Sequence, residues 1–146
     1  MTTSTLIRTP LSPSASATTV RQPIWKPGVT AALVASVATT VLAAIASAAG
    51  VSFADHTGSS IPLAAFPQLT LTFSLIGVGM AAVMSRKARR PRSTFVRTAV
   101  ALTVLSYVPD LTFGFDAGSA ATLITLHTVA AVIVVPTIAR RLAHTR

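Results

Sequence analysis

The sequence predicts an all-α protein: an integral membrane four-helix transmembrane bundle, N-in/C-in, with a disordered N-terminal tail. Three observations predict it. Hydrophobic residues make up 51% of the 146 residues and charged residues only 10%, against roughly 25% charged in an ordinary soluble domain. The apolar residues gather into four long stretches that carry almost no charge. The net charge of +9 is distributed so that basic and acidic residues alternate in blocks along the chain. A soluble bundle of four helices apolar on all sides would need a larger core than this length can enclose.

Residues 1–28 are rich in Ser, Thr and Pro, with prolines at 10, 13, 23 and 27. No helical or strand period survives them, so the segment cannot bury enough apolar surface to offset its ordering entropy. It reads as a disordered cytoplasmic tail ahead of a membrane domain over 29–146. The first span covers about 29–50, inside an uncharged run from Gly28 to Val51. About 20 apolar residues cross the hydrocarbon core. The second span, 64–85, has Pro67 near its start, where a missing N–H matters little. The third, 94–112, holds Arg97 near one end and Pro109-Asp110 near the other. The fourth, 119–139, contains His127 and Pro136 and runs into Arg140-Arg141. Pro136 removes the hydrogen bond to the Val132 carbonyl, and Thr137 is placed to compensate. A rival reading treats the first span as a signal peptide cleaved near Ala46-Ser47-Ala48, although both the preceding tail and the apolar run are long for one.

Charge sets the orientation. Cytoplasmic loops of membrane proteins collect Lys and Arg. With four spans, the N-terminus, the second loop and the C-terminus lie on one side. The tail supplies Arg8, Arg21 and Lys26. The second loop and its flanks supply Arg86, Lys87, Arg89, Arg90, Arg92 and Arg97, and the C-terminus supplies Arg140, Arg141 and Arg146. These are all 12 basic residues of the chain. The three acids, Asp55, Asp110 and Asp116, fall in or beside the first and third loops. The expected setting is a bacterial cytoplasmic membrane with both termini cytoplasmic. Aromatic residues fit an interfacial belt: Trp25 and Phe95 near the inner boundary, Phe53, Phe66, Phe113 and Phe115 near the outer one.

His127 is the candidate of most interest. It lies about 12 Å inside the fourth span at 1.5 Å per residue, and an ionisable residue at that depth is a functional-site hypothesis by default. It could relay protons, or form a neutral hydrogen bond that holds the bundle together. Tyr107 is the first partner to test, with Thr103 and Thr125 behind it. Asp55 with His56, Asp110 and Asp116 would share the outer face as a cation-attracting vestibule. Their plain readings are turns and a helix N-cap, the last for Asp116 with Ser119. Arg86, Lys87, Arg89, Arg90 and Arg92 could contact anionic lipid head groups, or act only as the orientation signal. Small residues recur four apart at Ala31/Ala35, Ala43/Ser47, Ala44/Ala48, Ala46/Gly50 and Gly77/Ala81, spacing that lets helix backbones approach closely in a bundle or homo-oligomer.

The stretch Tyr107-Val108-Pro109-Asp110, with Leu126-His127 and Val135-Pro136 through Ala139-Arg140-Arg141-Leu142, resembles a family of small four-helix actinobacterial membrane proteins catalogued as a domain of unknown function. The resemblance covers about 28–143 and excludes the tail. It implies a four-helix membrane fold and brings no activity, cofactor or catalytic residue.

Several functions are disfavoured by what the chain lacks. There is no Cys, hence no disulfide, thiol chemistry or Cys-ligated metal. Small multidrug exporters embed a glutamate in their first helix, and this chain has no Glu at all. Four-helix cytochromes b need paired intramembrane His. A charge of +9 alone would suggest nucleic acid, but the basic cluster abuts apolar spans without interleaved aromatics. The expectation is a non-enzymatic membrane component without cofactor or metal, structural, accessory or regulatory, acting through a homo-oligomer or a larger membrane partner. The alternative is a small oligomeric transporter or channel that uses His127 and the outer Asp residues.

Overall fold

The computed structural model describes residues 24–143. Expectations placed on 1–23 and 144–146, including the disordered tail and Arg8, Arg21 and Arg146, lie outside the described residues. Within them the chain folds into α1 (Trp25–Ala48), α2 (Ala65–Lys87), α3 (Pro91–Thr112) and α4 (Ala117–Ala143). Among the described residues there is no strand, only an isolated antiparallel bridge between Ala54 and Ser60. The helices α1, α2 and α4 are long and apolar enough to cross a membrane. The remaining helix, α3, is comparable in length but diluted by Arg92 and Arg97 at one end and Asp110 at the other.

Several helix ends extend beyond the expected spans, at the start of α1, the end of α2, the start of α3 and both ends of α4, whereas α1 stops two residues early and α2 starts one residue late. α1 begins at Trp25, so residues 25–28 belong to the helix and not to the tail. Pro27 sits in the first turn, where its N–H would have no intrahelical acceptor, and its fixed φ suits the helix. Pro91 does the same for α3 as its first residue, which draws Arg92 out of the second loop and into a helix. That loop shrinks to 88–90, with Arg86 and Lys87 in the last turn of α2 and Arg140 and Arg141 in the last turn of α4.

α1 packs on α2 and α4, and α3 packs chiefly on α4. What is buried is small. The inward face of α1 is Gly28, Ala31, Ala32, Ala35, Ser36, Thr39 and Ala43, a ladder of small side chains three and four apart. Of the expected small pairs, Ala31/Ala35 is buried, whereas Ala44, Ser47, Ala48 and Gly50 are exposed. Large apolar residues point outward instead: Val37 is 64% exposed, Ile45 60%, Phe73 67% and Leu111 67%. This inverts the soluble pattern and matches a bundle surrounded by lipid, in which helix association draws on close backbone approach and not on burying bulk.

Polar side chains tie the same interface. Thr39 and Thr70 share a hydroxyl hydrogen bond at 3.0 Å, and the Ser36 hydroxyl donates to the Pro67 carbonyl at 3.1 Å. Interhelical bonds of this kind contribute about 0.6 kcal/mol each in membrane proteins. Among the described residues no buried side-chain polar atom lacks a partner.

Two clusters fill the ends of the bundle. One joins Ala31, Ala35, Val78, Ala81 and Phe95 with Val134, Ile138 and Leu142. The other joins Ala43, Phe53, Phe66, Leu123 and Leu126. Phe53, Phe66 and Phe95 are therefore core residues, 2%, 7% and 1% exposed, and not members of an interfacial belt. Position along a chain gives depth, but it does not say which way a ring faces. Trp25 and Phe113 do face outward. At Pro136 the helix continues unbroken, and the Thr137 hydroxyl donates to the Ile133 carbonyl at 2.8 Å, one residue away from the Val132 carbonyl it was expected to serve.

α1 and α2 approach closely at Gly28. A Cβ at Gly28 would lie 2.7 and 2.9 Å from the two methyls of Val78. Gly28→Val should destabilise the bundle by about 1–3 kcal/mol through overpacking, well above the few tenths it gains in helix propensity. Adding Val78→Ala should recover most of the loss in detergent-solubilised thermal unfolding. Additive losses in the double variant would show that the two residues do not meet.

Candidate functional site

α3 and α4 form an antiparallel pair joined by 113–116. The buried Asp110, in the last turn of α3, lies against α4, and its Oδ2 is 3.0 Å from Nδ1 of His127. The Asp110 side chain is 7% exposed and that of His127 43%. The pair is therefore a carboxyl sunk into the helix interface with an imidazole closing it from outside. His127 lies ten residues after Ala117, about 15 Å along the helix. Asp110 lies only two residues before the end of α3, about 3 Å. The start of α4 thus overhangs the end of α3 by about 12 Å, which the link 113–116 spans.

Tyr107 is not the hydrogen-bond partner of His127. Its hydroxyl pairs with the Thr128 hydroxyl at 2.8 Å, and its ring lies 6.5 Å from the imidazole, tilted by 57°. Thr103 and Thr125 donate to carbonyls of their own helices, Ala99 and Ala121. Two polar contacts, Asp110–His127 and Tyr107–Thr128, thus run side by side across one helix pair. In apolar surroundings a carboxyl and an imidazole that share a proton remain net neutral whichever of them holds it, so the pair avoids the expense of a lone charge in hydrocarbon. Pairing of this sort can clamp two helices or pass a proton.

The other acids serve turns. Asp116 caps α4: Oδ1 accepts the N–H groups of Gly118 and Ser119, and Oδ2 accepts the hydroxyls of Ser119 at 2.5 Å and Ser52 at 3.4 Å. The Ser119 hydroxyl bond and then its N–H hold the Asp116 carboxyl below its ordinary range, as does the positive end of the helix. Asp55 closes its own turn, with Oδ1 accepting from the Thr57 hydroxyl and from the N–H groups of Thr57 and Ser59. The Thr57 hydroxyl is the main cause of its lowered pKa. His56 bonds the Phe113 carbonyl through Nδ1 at 2.8 Å. The acids therefore do not turn their carboxylates toward a common vestibule.

What the sequence did not reveal is the role of Phe53. Its backbone has φ +53°, a left-handed conformation uncommon for a bulky residue. Its N–H donates to the Ser119 hydroxyl at 3.1 Å, and its ring packs on Phe66 with centroids 5.0 Å apart. Ser119 thus links the first loop to the cap of the last helix. Gly114, with φ +74°, passes so close to His56 that a Cβ would lie 2.8 Å from the His56 Cβ. Arg86, Lys87, Arg89, Arg90 and Arg92 lie at the opposite end of the bundle, all exposed. Among the described residues no three His, Asp or Glu side chains are grouped so as to hold a metal ion.

Residues 19–144 match the model of a family described as a family of unknown function (DUF6069), and the chain belongs to that family. No curated protein and no solved structure matches it.

The Asp110–His127 contact predicts strong coupling. His127→Ala leaves a buried carboxyl without its partner, at about 1–3 kcal/mol. Asp110→Ala should cost a similar amount or less, and the double variant no more than the worse single one. Unfolding in detergent micelles measures all three, and additive losses would mean the two side chains do not act as a pair.

Proposed function

We propose that this family member is a multi-pass protein of the bacterial cytoplasmic membrane in which α3 is a fourth span and both termini are cytoplasmic. It acts as a structural, accessory or regulatory component and not as an enzyme, through a homo-oligomer or a larger membrane partner. The observation that carries this reading is the inverted packing, with alanines, Ser36 and Thr39 inside and Val37, Ile45, Phe73 and Leu111 outside. Such an exterior would aggregate in water and suits hydrocarbon. α3 supports a fourth span by length, 22 residues or about 33 Å, and by pairing its one deep acid with His127. The orientation is supported by charge. The described basic residues cluster at one end of the bundle, and Asp55 and Asp116 lie in the loops at the other.

The helix-clamp role of Asp110–His127 fits this reading. Neither Asp55 nor Asp116 extends the pair into a path, because each is bound into its own turn. A second reading, a small oligomeric proton or cation transporter, is favoured by the pair itself, since it places a titratable couple about 15 Å along α4.

Reporters fused after Arg92 and after Asp116 should report cytoplasm and exterior respectively, and the reverse pattern would overturn the orientation. In proteoliposomes the wild-type chain should carry no proton, cation or cationic-drug flux. A flux that disappears in His127→Ala would establish the transporter reading instead.

A further inference from the structure

The Asp110–His127 pair has a second side. Oδ2 of Asp110 and Nδ1 of His127 are taken up by their mutual contact, whereas among the described residues Asp110 Oδ1 and His127 Nε2 have no hydrogen-bond partner. No buried side-chain polar atom of the described residues is left unpaired, so Nε2 lies on the open part of an imidazole that is 43% exposed. Charge decides what it presents. In hydrocarbon the pair stays net neutral, and a neutral carboxyl with a neutral imidazole carries two exchangeable protons. One lies in the Nδ1–Oδ2 contact. The other sits on Nε2 or on Oδ1, and the carboxyl is sunk in the helix interface. The donor within reach of a ligand is therefore Nε2–H.

A donor open to hydrocarbon is costly until it meets an acceptor. Lipid ester carbonyls lie too shallow to supply one. α4 has 27 residues, about 40 Å against a hydrocarbon core of about 30 Å, so a centred helix holds His127 about 10 Å inside the outer edge of that core. The helix face one turn below the imidazole is low, since Ala130 and Ala131, three and four residues on, are short and half-buried. The Tyr107 ring lies 6.5 Å from the imidazole. One donor beside a smooth apolar floor is complementary to a flat molecule that dissolves in the bilayer and carries a carbonyl on its ring.

The geometry points to a binding site for a membrane-dissolved quinone, one ring carbonyl accepting from His127 Nε2–H and the ring lying over Ala130 and Ala131. Binding of this kind involves no electron transfer. It gives the Asp110–His127 clamp a ligand, and it rests on the membrane reading above.

The full chain, isotope-labelled at the histidine nitrogens and reconstituted in phosphatidylcholine bilayers, would be titrated with a decyl-substituted benzoquinone. Decylbenzene, with the ring and tail but no carbonyl, serves as the control. The chain has three histidines, His56, His127 and His144, so the His127 signals are those that persist in both His56→Gln and His144→Gln. The quinone should shift the His127 Nε2 resonance saturably, and decylbenzene should not. His127→Phe should weaken quinone binding about tenfold, the loss of one hydrogen bond away from water. Because that variant strands Asp110, the resonance of the unsubstituted His127 decides the question if the variant does not fold. An Nε2 resonance that ignores the quinone, or that responds equally to decylbenzene, overturns the site. So does one that follows the protein-to-lipid ratio instead, which assigns the donor to a second copy of the chain. Broadening of the His127 signal by a water-soluble paramagnetic chelate as strongly as that of His56 would overturn the membrane reading itself.

Discussion

Close backbone approach along α1 is the constraint on which the rest of the bundle depends. Lipid tails are as apolar as Leu or Val, so a helix in a bilayer gains little by burying large side chains against another helix. Contact has to come from surfaces smooth enough to meet. The run Gly28, Ala31, Ala32, Ala35, Ser36, Thr39 and Ala43 is such a surface, and α2 and α4 both pack on this helix. Once the backbones are close, short polar side chains reach across, as Thr39 reaches Thr70 and Ser36 reaches Pro67. The bulky residues excluded from this seam cover the exterior.

The two ends of the bundle are built differently. At the basic end α2 turns into α3 through a three-residue link, and Phe95 closes the packing between Ile138 and Leu142. At the other end α3 stops about 12 Å short of the start of α4. The long link 49–64 covers the difference, holding Phe53 against Phe66, Leu123 and Leu126. The Asp110–His127 contact lies just short of where α3 ends, with Asp110 buried against α4 and His127 partly exposed.

Much of the helical order was legible in the sequence because it depends on composition averaged over about 20 residues. Charge-free runs gave α1, α2 and α4 to within a few residues. Their ends were harder, since Pro27 and Pro91 look like breakers in a sequence but serve as first-turn residues once a helix exists. The site was only partly readable. His127 stood out as an ionisable group in an apolar span, yet its partner was mistaken for Tyr107. Tyr107 lies at a similar depth, and depth alone does not fix which side chains of two neighbouring helices meet. The overhang shifts the register of the pair and brings Asp110 to His127, while Tyr107 meets Thr128. Asp110 read as part of a turn because Pro109 precedes it, but α3 continues through that proline to Thr112. Phe53 carried no signal at all: its fold depends on Ser119, 66 residues away.

That separation has a consequence for biosynthesis. Ribosomes deliver a chain from its N-terminus, and nearby segments pair first. The first loop emerges long before the segment that anchors it, so while α2 and α3 are being made Phe53 has neither the Ser119 hydroxyl nor the Leu123–Leu126 surface. Before α4 is made, the turn at Phe53 has its carbonyl bond to the Ile61 N–H and its ring contact with Phe66, but not its N–H bond to Ser119. A chain truncated before residue 117 would therefore leave its first loop without the Ser119 hydroxyl and the Leu123–Leu126 surface.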